Sequence, residues 1–305
     1  MSLQEKLQII LITYNRAKYA KRTLERFLAA DSPVRDCDFL ILDNNSTDDT
    51  AQVAREFQQK YAHVSYQKNR YNLGISGNIA RAMELATQEY VWILGDDDVY
   101  DFTHWNEAEQ AMARGEKMIC LANYAIPPGH ENDIAYQLFQ LTFITGGIYH
   151  TSLFNDTTMR NAYDNLFTLF PHMLPIFALV NKGTPICVLP HAIADNGLRN
   201  EPKDSSFTRG ATELSALSSR TRNMIWILGY ATVLPLLKDK NLQTDCMKVA
   251  LSHTDIMPSD KSLYKYLRDL RKHNRNFFYD LYPVLPKEKK RGFWLFMLKR
   301  KLHIH

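Results

Sequence analysis

Tyr90-Val-Trp-Ile-Leu94, followed at once by Gly95-Asp96-Asp97-Asp98, is an apolar run that surfaces in three adjacent carboxylates. Five consecutive apolar residues with β-branched and aromatic members read as a strand buried on both faces, the pattern of a parallel sheet covered by helices. Carboxylates this close repel one another and raise each other's pKa unless a cation or a ring of donors neutralises them, and oxygen ligands suit Mg2+ or Mn2+. A metal held there is placed to carry a diphosphate. The second reading is an acidic turn in which Asp98 or Asp101 caps the following helix.

Upstream, the same grammar repeats. Leu7-Gln-Ile-Ile-Leu-Ile12 is a strand, and residues 18–30 show helical spacing that ends at Asp31-Ser-Pro33. Asp38-Phe-Leu-Ile-Leu42 is a second strand, and Asn44-Asn-Ser-Thr-Asp-Asp49 is a turn into a helix over about residues 48–60, with Ser46 and Asp49 at capping-box spacing. His63-Val-Ser-Tyr-Gln67 and a helix over residues 75–87 then lead to the Tyr90 strand. Such β-α alternation predicts an α/β fold with a mostly parallel sheet and ligands at the carboxyl ends of its strands. Those ends carry Thr13-Tyr-Asn-Arg16, Asp43-Asn-Asn-Ser46, Asn69-Arg-Tyr-Asn-Leu-Gly74 and Asp96 to Asp98. No GxGxxG follows the first strand and no GxxxxGK[ST] occurs, so a glycine-rich phosphate cradle is excluded and phosphate falls to a metal.

With 305 residues, 45% of them hydrophobic and 23% charged, the chain can bury a sizeable core. Cys37, Cys120, Cys187 and Cys246 are scattered, which indicates neither a zinc knuckle nor a disulfide framework and fits a reducing, cytoplasmic setting. The N-terminal apolar run is too short for a signal peptide or a membrane span. Residues 287–305 hold seven Lys or Arg against Glu288, a local charge of +6 within a net +4, so the rest of the chain carries −2. That asymmetry excludes nucleic acid along the whole molecule and assigns a surface partner to the tail. Phe293-Trp-Leu-Phe-Met-Leu298 lies between its basic clusters, the composition of a helix on an anionic leaflet; a helix docked on the body with a solvated basic end is the other reading.

In Ile9-Ile-Leu-Ile-Thr-Tyr-Asn-Arg16, Phe39-Leu-Ile-Leu-Asp-Asn-Asn-Ser-Thr-Asp-Asp-Thr50, Asn72-Leu-Gly-Ile-Ser-Gly-Asn78 and Trp92-Ile-Leu-Gly-Asp-Asp-Asp98, the chain resembles the inverting family 2 glycosyltransferases of GT-A fold, of the kind that builds bacterial surface polysaccharide such as capsule or O-antigen. The likeness covers residues 7 to about 190. It implies that Thr13 and Tyr14 line a nucleobase pocket where Asp43 accepts a hydrogen bond from the base, commonly uracil, and that Asn15 and Arg16 beside them belong to the nucleotide-sugar site. Asn72, Gly74 and Asn78 would border the ribose and diphosphate, Arg81 would help neutralise the latter, and Gly146 and Gly147 would lie beside the sugar. Turn, core and bulge roles are the plainer readings of these same residues. The family's usual Asp-x-Asp-Asp has Gly95 in its first place here, so the register is open: Asp97 and Asp98 are read as the ligands of Mn2+ or Mg2+, and Asp96 as lying toward the ribose or sugar.

Inverting transfer needs a base for the acceptor hydroxyl. The family's acidic base opens a helix that ends in a Lys-Gly turn, matching Ala178-Leu-Val-Asn-Lys-Gly183, but counting back reaches Pro171-His172 and no carboxylate. His172 is therefore the first candidate, with Asp164 and Asp156 as alternatives; a structural histidine is the plainer reading. His191, after the strand Pro185-Ile-Cys-Val-Leu189, is a weak candidate metal ligand and Asp195 a weaker one. A helix over residues 102–115, the strand Lys117-Met-Ile-Cys-Leu-Ala122, a break at Pro127-Pro-Gly129, and the apolar stretch Thr142 to Tyr149 with its glycine pair complete the expected catalytic domain.

The expected division is a GT-A domain over 1–205 (nucleotide-sugar half about 1–100, acceptor half about 101–205) and a helical region over 206–305 ending in the tail 287–305. Long helices are expected over 214–237 and 261–281, with Ser205-Ser-Phe-Thr-Arg-Gly210 a loop or lid between the parts. Together these readings predict an enzyme that moves sugar from a nucleotide diphosphate sugar, first of all a UDP-sugar, to a hydroxyl of a glycan or lipid-linked glycan. It would be cytoplasmic and peripheral on the cytoplasmic face of the inner membrane, with no nucleic acid partner. The alternatives are a sugar-1-phosphate nucleotidyltransferase and a non-catalytic glycan- or nucleotide-binding relative.

Overall fold

A computed structural model describes residues 3–122, 126–195, 219–253 and 259–301. After a helical turn, α1 (Leu3–Lys6), come β1 (Leu7–Thr13), α2 (Ala17–Phe27), β2 (Asp38–Asp43), α3 (Thr50–Lys60), β3 (Val64–Lys68), α4 (Gly74–Glu84) and β4 (Tyr90–Leu94). The chain continues through β5 (Val99–Tyr100), α5 (Trp105–Ala113), β6 (Met118–Cys120), α6 (Ile134–Gln140), β7 (Gly147–His150), α7 (Asp156–Asp164), α8 (Met173–Val180), β8 (Cys187–Val188) and β9 (Ala194–Asp195). Five helices follow: α9 (Ser219–Val233), α10 (Lys240–Ser252), α11 (Asp260–His273), α12 (Arg275–Val284) and α13 (Lys287–Lys301).

The main sheet has the order β3-β2-β1-β4-β7-β6-β8, and only β7 runs against its neighbours. The mostly parallel α/β sheet expected from the β-α alternation is thus present. Its strands read as continuous apolar runs because both faces are covered. Ile10, Ile12, Leu40, Leu42, Val91 and Ile93 point into one core with α4, α8 and the C-terminal helices. Ile9, Leu11, Phe39, Ile41, Trp92 and Leu94 point into the other, against α2, α3 and α5. Parallel pairing brings Thr13 level with Asp43 and Asp43 level with Lys68, so three strand ends open on one edge beside the end of β4.

Two local expectations are corrected. The helix after β2 starts at Thr50, whose backbone N–H is capped by Asp48 at 3.1 Å. Ser46 does not cap it; its Oγ accepts from Asn15 N at 2.8 Å and ties the first two strand ends together. The helix expected over 261–281 is two, α11 and α12, parted at Asn274 with φ −148 and ψ 78. Asparagine competes for backbone hydrogen bonds and breaks helices readily, and the apolar period alone could not reveal that. The 205/206 boundary and the Ser205 to Gly210 loop lie outside the described residues, as does the start of the helix expected over 214–237; its described part is α9, which ends before a turn containing Pro235.

Candidate functional site

At the end of β4 each carboxylate of the acidic cluster has a different keeper. Asp96 accepts from Thr13 Oγ1 at 2.7 Å on one oxygen and pairs with Arg16 Nη1 at 2.8 Å on the other. Arg16 Nη2 reaches Asp97 Oδ2 at 2.8 Å. Asp98 accepts from Thr145 Oγ1 at 2.6 Å, and that hydroxyl in turn accepts from Gly95 N at 2.8 Å. Thr145 is itself held by Trp92, whose Nε1 donates to its carbonyl at 2.9 Å. The strand therefore ends in a cluster whose geometry is set from β1, from the start of α2 and from the turn before β7.

Asp96 and Asp97 share the Arg16 guanidinium, Arg22 donates to the Asp97 carbonyl at 3.3 Å, and Asp96 and Asp98 are buried. Asp98 is pushed well above the usual carboxylate range by burial and then by the Asp97 charge. Asp96 is raised by burial, with Arg16 pulling the other way. Such a cluster is short of positive charge. Asp97, the least buried of the three, and Asp98 behind it offer oxygens that fit a hard divalent cation, whereas both oxygens of Asp96 are already occupied by Thr13 and Arg16. Gly95 has a steric reason for replacing the family's first acid: a Cβ there would meet Asp98 Oδ2 at 2.8 Å.

The neighbouring strand ends are knitted by short polar side chains. Asp43, fully buried, accepts from Ser46 N at 2.7 Å and from Tyr66 OH at 2.7 Å. Asn15 takes φ 52, a left-handed conformation that asparagine tolerates, and its Oδ1 accepts from Thr47 N at 2.7 Å. Asn44 Nδ2 donates to Asn72 Oδ1 at 2.8 Å, and Asn69 Nδ2 donates to Asn78 Oδ1 at 2.8 Å. Gly74 opens α4 with φ +68, and Asn72 and Gly74 are exposed at that helix start. Thr13, Tyr14, Asn15, Arg16, Asp43, Asn72, Gly74, Asn78 and Asp96 to Asp98 are thus gathered on one edge of the sheet.

Other expected residues lie elsewhere. Arg81 pairs with Glu84 at 2.7 Å in the last turn of α4, away from the strand ends. Asp156 and Asp164 bound α7, which follows the Thr151 N bond to Glu89 O at the opposite end of β4 and packs Tyr163 on Glu84. These two alternatives for the base are therefore corrected by topology: an antiparallel β7 delivers the chain to the wrong end of the sheet. Gly147 pairs with Cys120 in the sheet and Gly146 packs on Ala122, so this glycine pair lets β6 and β7 approach while Thr145 beside it reaches Asp98. His172 immediately precedes α8 and is buried, with Nε2 3.2 Å from Thr142 O. A carbonyl can only accept, so Nε2 carries the proton and Nδ1 the lone pair. Burial lowers its pKa to about 4, so it is neutral near pH 7. His191 turns to Glu107, Nδ1 to Oε1 at 2.6 Å, and Asp195 pairs with Val99 in the β5–β9 ribbon.

Thr145, Thr23 and Tyr66 were not foreseen. Thr23 Oγ1 donates to Asp96 O at 3.0 Å. A hydroxyl next to the Gly146-Gly147 pair was the signal available for Thr145; nothing local marks the other two.

The family model for glycosyl transferase family 2 matches residues 8–182, more than half of the chain, and the chain belongs to that family. It is similar to the abequosyltransferase RfbV of Salmonella typhimurium, 33% identical over 87 residues, 28% of this chain and 26% of that protein. A GalNAc(5)-diNAcBac-PP-undecaprenol beta-1,3-glucosyltransferase of Campylobacter jejuni is 31% identical over 94 residues, 30% of each chain. These alignments span under a third of the curated relatives' length. Among solved structures, S. aureus TarS 1-349 in complex with UDP-GlcNAc superposes with TM-score 0.51 at 16% identity, over 95% of this chain and 92% of that one. Mannosyltransferase PcManGT from Pyrobaculum calidifontis, in complex with GDP-Man and Mn2+, gives 0.52 at 14%, over 93% and 86%. The GT-A fold expected from the sequence is borne out.

Proposed function

We propose that this chain is an inverting glycosyltransferase that moves a sugar from a nucleotide diphosphate sugar, with a UDP-sugar the first donor to test, to a hydroxyl of a glycan or lipid-linked glycan in surface-polysaccharide synthesis. The observation that carries the reading is the charge-deficient Asp97–Asp98 pair at the end of β4, beside Thr13, Tyr14 and Asp43 on the adjoining strand ends. Mn2+ or Mg2+ held by Asp97 and Asp98 would supply charge neutralisation for a departing diphosphate. The exposed start of α4 at Asn72 and Gly74 lies on the same edge, with the Leu73 and Gly74 N–H groups held by the Asn44 and Asn72 side-chain oxygens. The two named relatives, both sugar transferases, support the class of reaction.

His172 remains the proposed base. Its Nδ1 lone pair is the accepting atom, but burial at a pKa of about 4 makes the ring a weak base, so the assignment requires the segment over residues 140–145 to open when the acceptor binds and return the imidazole to a more basic, solvated setting. The division into a GT-A domain over 1–205 and a helical region over 206–305 is part of the same proposal, as is peripheral membrane contact through α13. Exposed Trp294, Leu295 and Leu298 beside Arg291 and Lys299 to Lys301 support that contact.

The test is incubation with Mn2+ and a panel of nucleotide sugars and acceptors. Nucleoside diphosphate release that Asp97→Asn abolishes supports transfer, and an inverted anomeric signal in the product supports the stereochemistry. Pyrophosphate release would point to a nucleotidyltransferase, and saturable donor binding without turnover to a binding protein. Turnover that survives His172→Gln removes that residue as base.

A further inference from the structure

We propose that His104, Glu107 and His191 form a second divalent-metal site, separate from the acidic cluster and matched to a borderline transition ion such as Zn2+. His104 immediately precedes α5, Glu107 sits in its first turn, and His191 lies in the connection from β8 to β9. The His191 Nδ1 is 2.6 Å from Glu107 Oε1, and the His104 Nδ1 is 3.9 Å from that same oxygen. One donor atom from each residue falls within 4.8 Å of the other two. The imidazoles stack with centroids 3.7 Å apart and planes 12° from parallel, so both present Nδ1 on the side of the carboxylate.

Two neutral imidazoles and one carboxylate are a donor set that zinc sites use, with a water or another ligand completing the shell. The nitrogen donors separate it from the all-oxygen Asp97–Asp98 pair, which suits a harder ion. The present 2.6 Å contact is a hydrogen bond. Two ligands on one tetrahedral zinc stand roughly 3.3 Å apart, so Nδ1 and Oε1 must separate by well under 1 Å and the rings must tilt until their lone pairs converge. Both histidine side chains are largely exposed, at 43% and 54%, so this needs only side-chain rotation.

Bound metal would tie the β8–β9 connection to α5. β5 starts at Val99, next to Asp98, and pairs with β9, so the clasp would brace the flank of the acidic cluster. His191 would then serve this site and not the cation at Asp97 and Asp98. The inference stands independently of the sugar-transfer reading.

The full untagged chain, stripped with chelator, is titrated with Zn2+ by equilibrium dialysis and with Co2+ by visible spectroscopy. One retained Zn2+ and a Co2+ ligand-field spectrum are expected, and His104→Ala, Glu107→Gln and His191→Ala should each weaken retention roughly tenfold or more. Asp97→Asn should leave Zn2+ retention intact. His191→Gln, which keeps a polar side chain of similar reach, is the second variant if His191→Ala loses its fold by circular dichroism. Wild-type protein that retains no Zn2+ at micromolar concentration, or the same retention in all three variants, overturns the proposal.

Discussion

The Arg16 guanidinium reaches Asp96 across 80 residues of sequence, Nη1 to Oδ1 at 2.8 Å, and spans to Asp97 with its other terminal nitrogen at the same distance. Both partners are mostly buried, so the bridge is not a surface ion pair. Removing one side of a buried pair strands the other, which costs about 3–5 kcal/mol. Arg16→Ala should lower the unfolding free energy by about 3 kcal/mol in urea melts, and Arg16→Lys should recover part of it. A loss under about 1 kcal/mol would show that Asp96 finds other neutralisation.

Gly95→Ala tests the steric account of the missing acid. Its Cβ would meet Asp98 Oδ2 at 2.8 Å and force that carboxylate off Thr145. With the fold retained by circular dichroism, donor turnover should drop about tenfold or more, equal to at least about 1.4 kcal/mol of barrier. Unchanged turnover would mean that Asp98 need not hold its present rotamer.

Thr145 links β7 to the acidic cluster. Thr145→Val leaves Asp98 and Gly95 N without that hydroxyl and should destabilise by about 1–3 kcal/mol, whereas Thr145→Ser should be close to wild type. A double-mutant cycle with Asp98→Asn should give a coupling of at least about 0.5 kcal/mol. Additive effects would dismiss the contact as incidental.

His172 predicts an acid-sensitive fold. Burial lowers its pKa from 6.5 to about 4, so between those values the unfolded chain binds the extra proton and the native one does not. Stability from this group is therefore complete above about pH 6.5 and falls as pH drops toward 4, by roughly 3 kcal/mol in all. His172→Gln cannot take up that proton, so the melting-temperature gap between wild type and variant should change in favour of wild type as pH rises from 4 to 7. A gap independent of pH would be incompatible with a buried neutral imidazole.

For α13, cosedimentation with anionic vesicles should be strong at low salt and weak at high salt, since basic groups drive the approach. Leu295→Ser with Leu298→Ser should reduce binding several-fold without altering the melt, because both side chains are half-exposed and Phe293 anchors the helix to the body. Equal binding to neutral and anionic vesicles would dismiss the basic cluster as the attractor.

The first four strands and the polar residues at their ends were readable because each is written in consecutive residues: an apolar run, then the group it delivers. Pairing of Arg16 with Asp96, of Thr145 with Asp98 and of His191 with Glu107 was not readable, because each joins distant segments and no local pattern names its partner. The helices α6, α7 and α10 went unseen although Asp133, Asn155 and Asp239 cap them with side-chain oxygens, because their apolar periods are short.

The local order of residues decided that a strand would end in Gly95-Asp96-Asp97-Asp98 and that a parallel sheet would gather other polar strand ends beside it, since burial period and turn chemistry act over a few residues. Which carboxylates are locked and which is left partly exposed was decided only when β1, α2 and the turn before β7 closed around them, because charge neutralisation in a buried cluster depends on distance in space and not along the chain.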